Sequence, residues 1–236
     1  MTDNNFIQGG QYNSIARRHL SLETCRKWGY QIATVDGQNV QVANYRSRDG
    51  QLVGQKIRYA DKSFKVRGEL LGLYGQHLWK DGGQRVIVTE GEIDALSVSQ
   101  AWGNKWPVVS IPHGAGSAKK HVAQALDWLE RFDSVIFMFD MDDAGRKGAA
   151  DCAQLITPGK AKIAELPLKD PNDLLVEGRS ADIVQATAES LAEGKPLMIQ
   201  APTGLGKTAP ILVGALSHVF ARDRQVFWST ARTTQQ

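Results

Sequence analysis

The chain has few cysteines, no long apolar run and almost no excess of charge. Its 236 residues include two cysteines, Cys25 and Cys152, which stand far apart in the sequence. Two distant cysteines exclude a zinc ribbon built on cysteine ligands and argue against a disulfide framework. We therefore expect a protein of a reducing compartment that binds no zinc.

The sequence also lacks a segment that would target it to a membrane. The first residues, MTDNNFIQGG, contain no apolar signal region, and no apolar run approaches the length that spans a bilayer. The 28 Lys and Arg residues nearly balance 25 Asp and Glu, so binding of polyanions depends on local clusters of positive charge. A hydrophobic fraction of 42% suits one or two globular domains. We expect a cytoplasmic protein without a membrane partner.

Residues 1–80 are predicted to form a small α+β unit with a basic antiparallel sheet. Ser21 can cap a short helix that ends at Gly29. The alternating segments that follow are separated by Asp-Gly pairs, which are typical of hairpins, so residues 30–67 are interpreted as an antiparallel meander. Its last two strands carry a cluster of positive charge: Lys56, Arg58, Lys62, Lys65 and Arg67.

Residues 81–178 show the pattern of a parallel sheet covered by helices on both faces. Four apolar runs, RVIVT, PVVSI, SVIFMF and AKIAEL, alternate with amphipathic segments, and helices are predicted at 117–131 and 143–156. A linker helix is expected within residues 179–195. Residues 196–236 are predicted to begin a second α/β unit with a strand, a glycine-containing loop, a helix and another strand.

Acidic residues follow three of the predicted parallel strands. Glu90 comes after the first run, Asp140 and Asp142 follow SVIFMF, and Asp170 lies just beyond AKIAEL. The carboxyl ends of parallel strands meet at one edge, where ligands gather. Carboxylates crowded there repel one another unless a cation such as Mg²⁺ or Mn²⁺ neutralises them. The pattern therefore predicts a metal site.

Each of these acids has a simpler alternative role. A single acid after a strand more often caps the next helix, and Asp173 competes with Asp170 as the cap or first residue of the helix near DLLVEG. Glu92 and Asp94 are interpreted only as favourable charges in the first turn of the helix after Gly91. Four strand-end acids on one sheet nevertheless favour the metal site.

Several motifs in order resemble a known family. Glu-Gly after the first strand, Asp-x-Asp-x-Ala-Gly after a later one and KDPND after the next resemble the TOPRIM domain of primases, topoisomerases and some nucleases. VIVTEGEIDALSV, VVSIPHGAGSAKK, MFDMDDAGRKGA and LPLKDPNDLL are more closely similar to the primase half of short-tailed bacteriophage primase-helicases, with the mitochondrial Twinkle helicase as a distant relation. The resemblance runs from about residue 21 to about residue 178. It implies a Rossmann-like parallel sheet with flanking helices after a small α+β subdomain.

The resemblance also implies roles for individual residues. Glu90, Asp140 and Asp142 correspond to catalytic, metal-binding acids, and Asp170 to a further metal-site acid. Positions expected to contact nucleotide or nucleic acid are Lys56, Arg58, Lys62, Lys65, His113, Lys119, Lys120 and Arg146. The implied activity is that of a DNA primase, a nucleotidyltransferase that uses Mg²⁺ and ribonucleoside triphosphates to make short RNA primers on single-stranded DNA. A replication helicase and a DNA polymerase are the implied partners in a phage-infected bacterium.

The sequence departs from this family at both ends. The zinc module with which the full-length phage enzymes recognise the template has no counterpart here, so a separate zinc protein acting in trans is one expectation. APTGLGKT resembles the phosphate loop of superfamily-two helicases and predicts ATP binding through Gly204, Gly206, Lys207 and Thr208. No second acidic motif follows it, so we expect no ATPase or helicase activity from this chain alone.

Two other functions use the same features. A TOPRIM nuclease or topoisomerase-like enzyme would cleave strands with the same acids, although no separate domain is present to supply a cleaving tyrosine. A catalytically idle fragment would bind single-stranded DNA through the basic strands alone. The basic meander before the TOPRIM segment favours the primase.

Overall fold

A computed structural model describes residues 6–192 and contains two four-stranded sheets. The helices are α1 (Leu22–Trp28), α2 (Glu92–Ala101), α3 (Ala118–Gln124), α4 (Leu126–Leu129), α5 (Asp143–Ala153), α6 (Pro171–Val176) and α7 (Ser180–Leu191). The strands are β1 (Tyr30–Val35), β2 (Gln38–Arg46), β3 (Leu52–Arg58), β4 (Phe64–Gly68), β5 (Gly83–Thr89), β6 (Val108–Ser110), β7 (Phe132–Met138) and β8 (Ala161–Ile163). The predicted α/β fold, with an antiparallel sheet before a parallel one, is confirmed.

The antiparallel sheet has the order β1-β2-β3-β4, as the meander interpretation predicts. Asp36 and Gly37 join β1 to β2 with φ values of 51° and 76°, which is the backbone that a tight hairpin turn requires and that Asp-Gly favours. The register pairs Lys56 with Val66 and Arg58 with Phe64. Since directly paired residues share a face, these four side chains lie on one face of the sheet.

The parallel sheet has the order β6-β5-β7-β8. The chain moves from β5 outward to β6, then crosses back over β5 to β7 and continues to β8. With right-handed crossovers this reversal puts α2 on one face and α3, α4 and α5 on the other. Helices therefore cover both faces of the sheet. The topological switch point, where the connections leave neighbouring strands towards opposite faces, lies between β5 and its two neighbours.

The predicted helix at 117–131 is interrupted in the structure. Ala125 has φ −99° and ψ 8°, so α3 ends before it and α4 begins after it. After the break, Trp128 is buried against Phe132 at 4.9 Å between ring centroids, and its Nε1 donates to Asp81. Val122 and Leu129, which stand at helical spacing in the sequence, are both buried, but that spacing did not predict the change of direction between them.

The two sheets share one hydrophobic core. Tyr74 lies 5.5 Å from Trp28 and 5.0 Å from Tyr45 between ring centroids, and its hydroxyl donates to the Trp28 carbonyl. These aromatic residues belong to the same buried cluster as Val88 and Phe137 of the parallel sheet. Close packing of this kind fixes the orientation of the two sheets, and with it the width of the cleft between them.

The domain boundaries predicted at residues 80 and 178 stay a prediction. The shared hydrophobic core has members on both sides of each boundary, so it does not mark either of them. Helix α7 packs on α2 and α6 through residues that include Ile183 and Ala186. The predicted phosphate loop and the rest of 196–236 lie outside the described residues. Within residues 6–192, no helix is both long enough and apolar enough to cross a membrane.

Candidate active site

The carboxyl ends of β5 and β7 bring Glu90 and Asp140 together. The two strands are neighbours, with Thr89 paired to Met138, so the acids that follow them emerge side by side. The site lies beside the switch point of the sheet, where the loops on either side diverge and leave a crevice. The sequence-based expectation that distant acids meet at one edge is confirmed for this pair.

Glu90 carries an unsatisfied charge-bearing atom. Its Oε1 accepts a hydrogen bond from the Ala115 backbone N–H at 3.0 Å, whereas its buried Oε2 has no hydrogen-bond partner among the described residues. A buried carboxylate oxygen without a partner is costly, because it has lost water and gained nothing in exchange. Such an atom fits a ligand position for a cation.

Asp140 is held in an environment that resists ionisation. Its pKa is raised from 3.8 to about 6, chiefly by burial and then by the charges of Glu90 and Asp170. Lys169 opposes this effect, since its Nζ lies 3.5 Å from Asp140 Oδ2. The charge of Asp140 in turn raises the pKa of Lys169. A second positive charge at this position would relieve the remaining repulsion.

Asp142 and Asp170 both cap helices. Asp142 Oδ1 accepts the Gly145 N–H at 2.9 Å and starts α5, and Asp170 Oδ1 accepts the Asp173 N–H at 2.8 Å and starts α6. The cap of the short helix is therefore Asp170, and Asp173 lies within its first turn. Capping uses one oxygen of each carboxylate, so it does not exclude a metal role for the other.

The donor set suits an open Mg²⁺ site better than a closed one. Within the part of the chain that the structure describes, no three acidic, histidine or cysteine side chains form a ready metal cage. Mg²⁺ commonly needs only one or two protein carboxylates, because water and substrate phosphates complete its octahedron. Glu90 and Asp140 meet that requirement. The fit depends on the partnerless Glu90 Oε2 and on the chemistry of the two carboxylates.

Asp94 is a site residue that the sequence argument assigned only to the first turn of a helix. It borders a cleft of about 370 Å³, whose other lining residues are Arg18, Arg58, Lys62, Ile93, Asp140, Lys169, Asp170, Asn172 and Asp173. Burial raises the pKa of Asp94 well above its ordinary value, and the charges of Asp170 and Asp140 add to the effect. The signal was present, because the first turn after a strand-end glycine lies at the same edge as the strand end.

Asn172 is a second site residue; the KDPND motif contains it, but the motif does not indicate its partners. Its backbone N–H donates to Asp94 Oδ1 at 3.3 Å, and its Oδ1 accepts from the Arg18 guanidinium at 2.9 Å. Its Nδ2 donates to the Arg18 carbonyl and to Ser97 Oγ. Asn172 therefore connects the N-terminal arginine segment to the acidic edge. Its long-range partners are what the sequence alone did not reveal.

Arg58 and Lys62 line the cleft, and their contact with nucleotide or nucleic acid stays a prediction. Both also line a smaller cavity of about 160 Å³ that is surrounded by Arg17, Arg18, Arg58, Tyr59, Ala60 and Lys62. The lining of that cavity contains no acid. The two cavities share Arg18, Arg58 and Lys62, so a basic chamber borders the acidic edge directly.

Lys65 lies apart from this chamber. It pairs with Ile57 in the sheet and so occupies the face opposite to Lys56 and Arg58. Its Nζ lies 5.2 Å from the centroid of the Tyr59 ring. The structure does not bring Lys65 to the cleft with the other basic residues of the hairpin.

Lys56 is bound within the protein. Its Nζ donates to Glu92 Oε1 at 2.9 Å, to Glu92 Oε2 at 3.1 Å and to the Pro112 carbonyl at 2.8 Å. Glu92 also accepts the Tyr45 hydroxyl at 2.6 Å. The two charged side chains are only 12% and 9% exposed. Glu92 is thus more than a favourable first-turn charge: it fastens the antiparallel sheet to α2.

The other predicted contact residues do not line the cleft. His113 is exposed, with its ring 5.4 Å from that of His121. Lys119 and Lys120 are exposed on α3. Arg146 forms a surface ion pair with Glu165 at 2.5 Å. None of the four lines the 370 Å³ cleft, and their roles as nucleotide contacts stay predictions.

Comparison with known proteins agrees with both halves of the fold. Residues 10–68 match the family described as bacteriophage T7 DNA helicase/primase, N-terminal a+b fold, and residues 87–175 match a family described as Toprim-like. The DNA helicase/primase of Enterobacteria phage T3 is 45% identical over 178 residues. That alignment covers 75% of this chain and 31% of the T3 protein, so the chain spans about a third of the length of that curated relative.

Solved structures give the same result. The primase fragment of the bacteriophage T7 primase-helicase aligns with a TM-score of 0.73 at 45% identity, covering 75% of each chain. The T7 primase domain in a complex of lagging-strand DNA polymerase, RNA/DNA hybrid and dTTP aligns at 0.74 and 44% identity, covering 78% of this chain and 95% of that one. The Aquifex aeolicus primase, at 16% identity and a TM-score of 0.57, covers 73% of this chain and 54% of its own and shares the fold. The chain belongs to the primase-domain family of the phage primase-helicases.

Proposed function

We propose that the chain is a DNA primase, a nucleotidyltransferase that makes short RNA primers on single-stranded DNA in phage replication. The observation that carries the proposal is the buried, partnerless Oε2 of Glu90 beside Asp140, which itself lines one cleft together with Arg58 and Lys62. Family membership supports it, since both T7 structures and the T3 protein are described as primases or primase-helicases.

The chemistry is phosphoryl transfer between nucleotides. The 3′-hydroxyl oxygen of one ribonucleotide forms a bond to the α-phosphorus of the next, the bond to the β-phosphate oxygen breaks, and pyrophosphate leaves. Mg²⁺ held by Glu90 and Asp140, with Asp142 and Asp170 nearby, would supply charge neutralisation and a more acidic hydroxyl. Asp140 would hold Mg²⁺ in its ionised form, which a bound cation favours against the burial and crowding that raise its pKa, and the hydroxyl proton would leave to solvent water.

The basic chamber suits the triphosphate. Arg18, Arg58 and Lys62 border both cavities, so phosphates held there would lie next to the acidic edge. Positioning and charge supply most of the catalysis in phosphoryl transfer. The arrangement gives the two sides of the cleft separate tasks: the arginines and the lysine orient the triphosphate, and the carboxylates act at the reacting hydroxyl.

The partners follow from the same proposal. The T7 relative is described in a complex with DNA polymerase and an RNA/DNA hybrid, so a single-stranded template, an RNA primer, a polymerase and a replication helicase are the expected partners here. The bacterial cytoplasm is the expected location.

A primer-extension assay tests the proposal. The chain is incubated with single-stranded DNA, Mg²⁺, labelled ribonucleotides and a preformed oligoribonucleotide, which bypasses recognition of a priming site. We expect RNA products that depend on Mg²⁺ and fall by about 100-fold or more with Asp140→Asn. Asp133→Asn is the matched control, because Asp133 is exposed at the opposite end of the same strand, β7, and its product should equal that of the wild type.

Two outcomes would contradict the primase function. Shortened DNA without new RNA would indicate strand cleavage, which the same acids can support. Equal activity of the Asp140→Asn variant and the wild type would remove the acidic edge from the mechanism.

A further inference from the structure

Phe64 lies exposed on the edge strand of the antiparallel sheet, in contact with Arg58 of the cleft lining. Strand β4 pairs only with β3 among the described strands, and Phe64 remains 50% exposed. Phe64 pairs with Arg58, so its ring lies on the same face of the sheet as Lys56 and Tyr45. This is the face of the antiparallel sheet that packs toward the parallel sheet. A large aromatic ring left half in water on this face needs an explanation, because Tyr45 on the same face is fully buried.

Two cations contact the Phe64 ring. Lys56 Nζ lies 4.9 Å and Arg58 Cζ 5.6 Å from its centroid, both within the range of a cation–π interaction. Lys56 is fixed in place by Glu92 and by the Pro112 carbonyl. The ring is therefore supported by an immobile charge while half of its surface stays open to a ligand.

The position of the ring connects it to the reaction site. Arg58 lines the cleft that contains Asp140, and Pro112 is three residues before Ala115, whose N–H holds Glu90. Val66, two residues further along β4, is 46% exposed and shares the face with Phe64. The apolar surface thus extends along the edge strand, which suits a chain of bases better than a single nucleotide.

We propose that Phe64 is a stacking platform for an unpaired base of single-stranded template DNA. The proposal rests on the proposed primase function and adds the means by which the template is held at the site. Proteins that bind single strands combine aromatic rings, on which bases stack, with cations that follow the phosphates. Phe64 supplies the ring, and Arg58, which contacts that ring and lines the cleft, puts a stacked base next to the site proposed for the triphosphate. The ring stacks on any base, so it contributes affinity without sequence preference.

Binding of a fluorescently labelled oligodeoxythymidine, measured by anisotropy on the full chain, tests the proposal. Loss of one stacked base is expected to raise the Kd of Phe64→Ala by about tenfold or more. Phe64→Trp should bind as tightly as the wild type or more tightly, and Phe64→Leu, which keeps apolar bulk but no π-face, should resemble Phe64→Ala. Leu71→Ala is the control, because Leu71 is similarly exposed, at 53%, on the segment after β4, and its Kd should not change.

Three results would overturn the proposal. The first is an unchanged Kd in Phe64→Ala, and the second is full rescue by Phe64→Leu, which would indicate a simple apolar contact. The third is a raised KM for the ribonucleotide without a change in oligonucleotide affinity, which would assign the ring to the incoming base. Thermal unfolding of Phe64→Ala should match the wild type, because the side chain is exposed.

This test separates the stacking role from the primase function. Phe64-dependent binding of DNA by a chain that makes no primer would overturn only the function. Primer synthesis by a chain whose affinity for the oligonucleotide does not depend on Phe64 would overturn only the stacking platform.

Discussion

Glu90 and Glu92 lie two residues apart in the sequence Glu-Gly-Glu, but their carboxylates differ in how many partners they have within the protein. Glu92 is surrounded by partners, with the Lys56 ammonium and the Tyr45 hydroxyl both on its carboxylate. Glu90 has one backbone hydrogen bond and a buried oxygen that no described residue contacts through a hydrogen bond. A carboxylate whose oxygens are paired with donors inside the protein stabilises the fold, whereas a carboxylate with an unpaired oxygen is available for a ligand.

The same contrast separates the two sides of the cleft. The antiparallel sheet contributes Lys56, a charge already neutralised, together with Arg58 and Lys62, which face the chamber. The parallel sheet contributes carboxylates that raise one another's pKa. The family resemblance placed Lys56 with the cations that contact nucleotide or nucleic acid, a role that stays a prediction. Its contacts place it with the elements that hold the two sheets together.

Glu90→Gln should give the largest effect on activity. We expect primer extension to fall by about 100-fold or more, because the amide cannot replace an anionic metal ligand. The free energy of unfolding should stay the same or rise, since the substitution removes a buried charge without a partner. Activity is followed by primer extension and stability by urea unfolding in EDTA. A large loss of stability would mean that Glu90 has a structural role like that of Glu92.

Glu92→Gln should show the reverse: the loss of folding stability should be larger than any loss of primer-extension activity. Breaking a buried pair leaves the Lys56 ammonium uncompensated, at a cost of about 3 kcal/mol. For a chain of this size the melting temperature should fall by roughly 6–12 °C, as measured by circular dichroism. Adding Lys56→Met should recover part of the loss, because no unpaired charge is then left and the amide oxygen introduced at position 92 would still accept the Tyr45 hydroxyl. No recovery in the double variant would contradict the assignment of the pair as a sheet-to-helix fastening.

The pH dependence of stability without metal should reveal the crowded carboxylates. A raised pKa means that the folded protein binds more protons than the unfolded chain between the ordinary value of 3.8 and about 6. Stability should therefore fall as the pH rises through this interval, by about 1–2 kcal/mol, and Asp94 should act in the same direction. Urea unfolding in EDTA at pH 4.5 and pH 7 measures the change. Asp140→Asn should reduce it and Asp133→Asn should not, and saturating Mg²⁺ should reverse it at pH 7.

The framework could be predicted well from the sequence because local signals specify it. Ser21 and Gly29 bound α1, Asp36-Gly37 forms the first hairpin, and strand-end acids mark the edge of the parallel sheet. The sequence could not show which side chains, distant along the chain, contact each other in the fold. The pairing of Lys56 with Glu92 and the bridge made by Asn172 join residues 36 and 154 positions apart, and no local pattern records such contacts. Asp94 was different, because its place in the first turn of α2 already put it at the acidic edge.

Lys65 and Lys62 provide the smallest and most discriminating contrast in the hairpin. The sequence grouped them because both belong to one basic cluster, but the register of β3 with β4 puts Lys65 on the far face of the sheet, while Lys62 lines both cavities. Lys62→Ala should raise the KM for ribonucleotide several-fold, as expected when a phosphate contact is lost. Lys65→Ala should change KM by less than about twofold, because an exposed charge on the far face contributes little. Steady-state primer extension at two salt concentrations measures both, and an equal effect of the two substitutions would show that the nucleic acid also wraps the far face of the sheet.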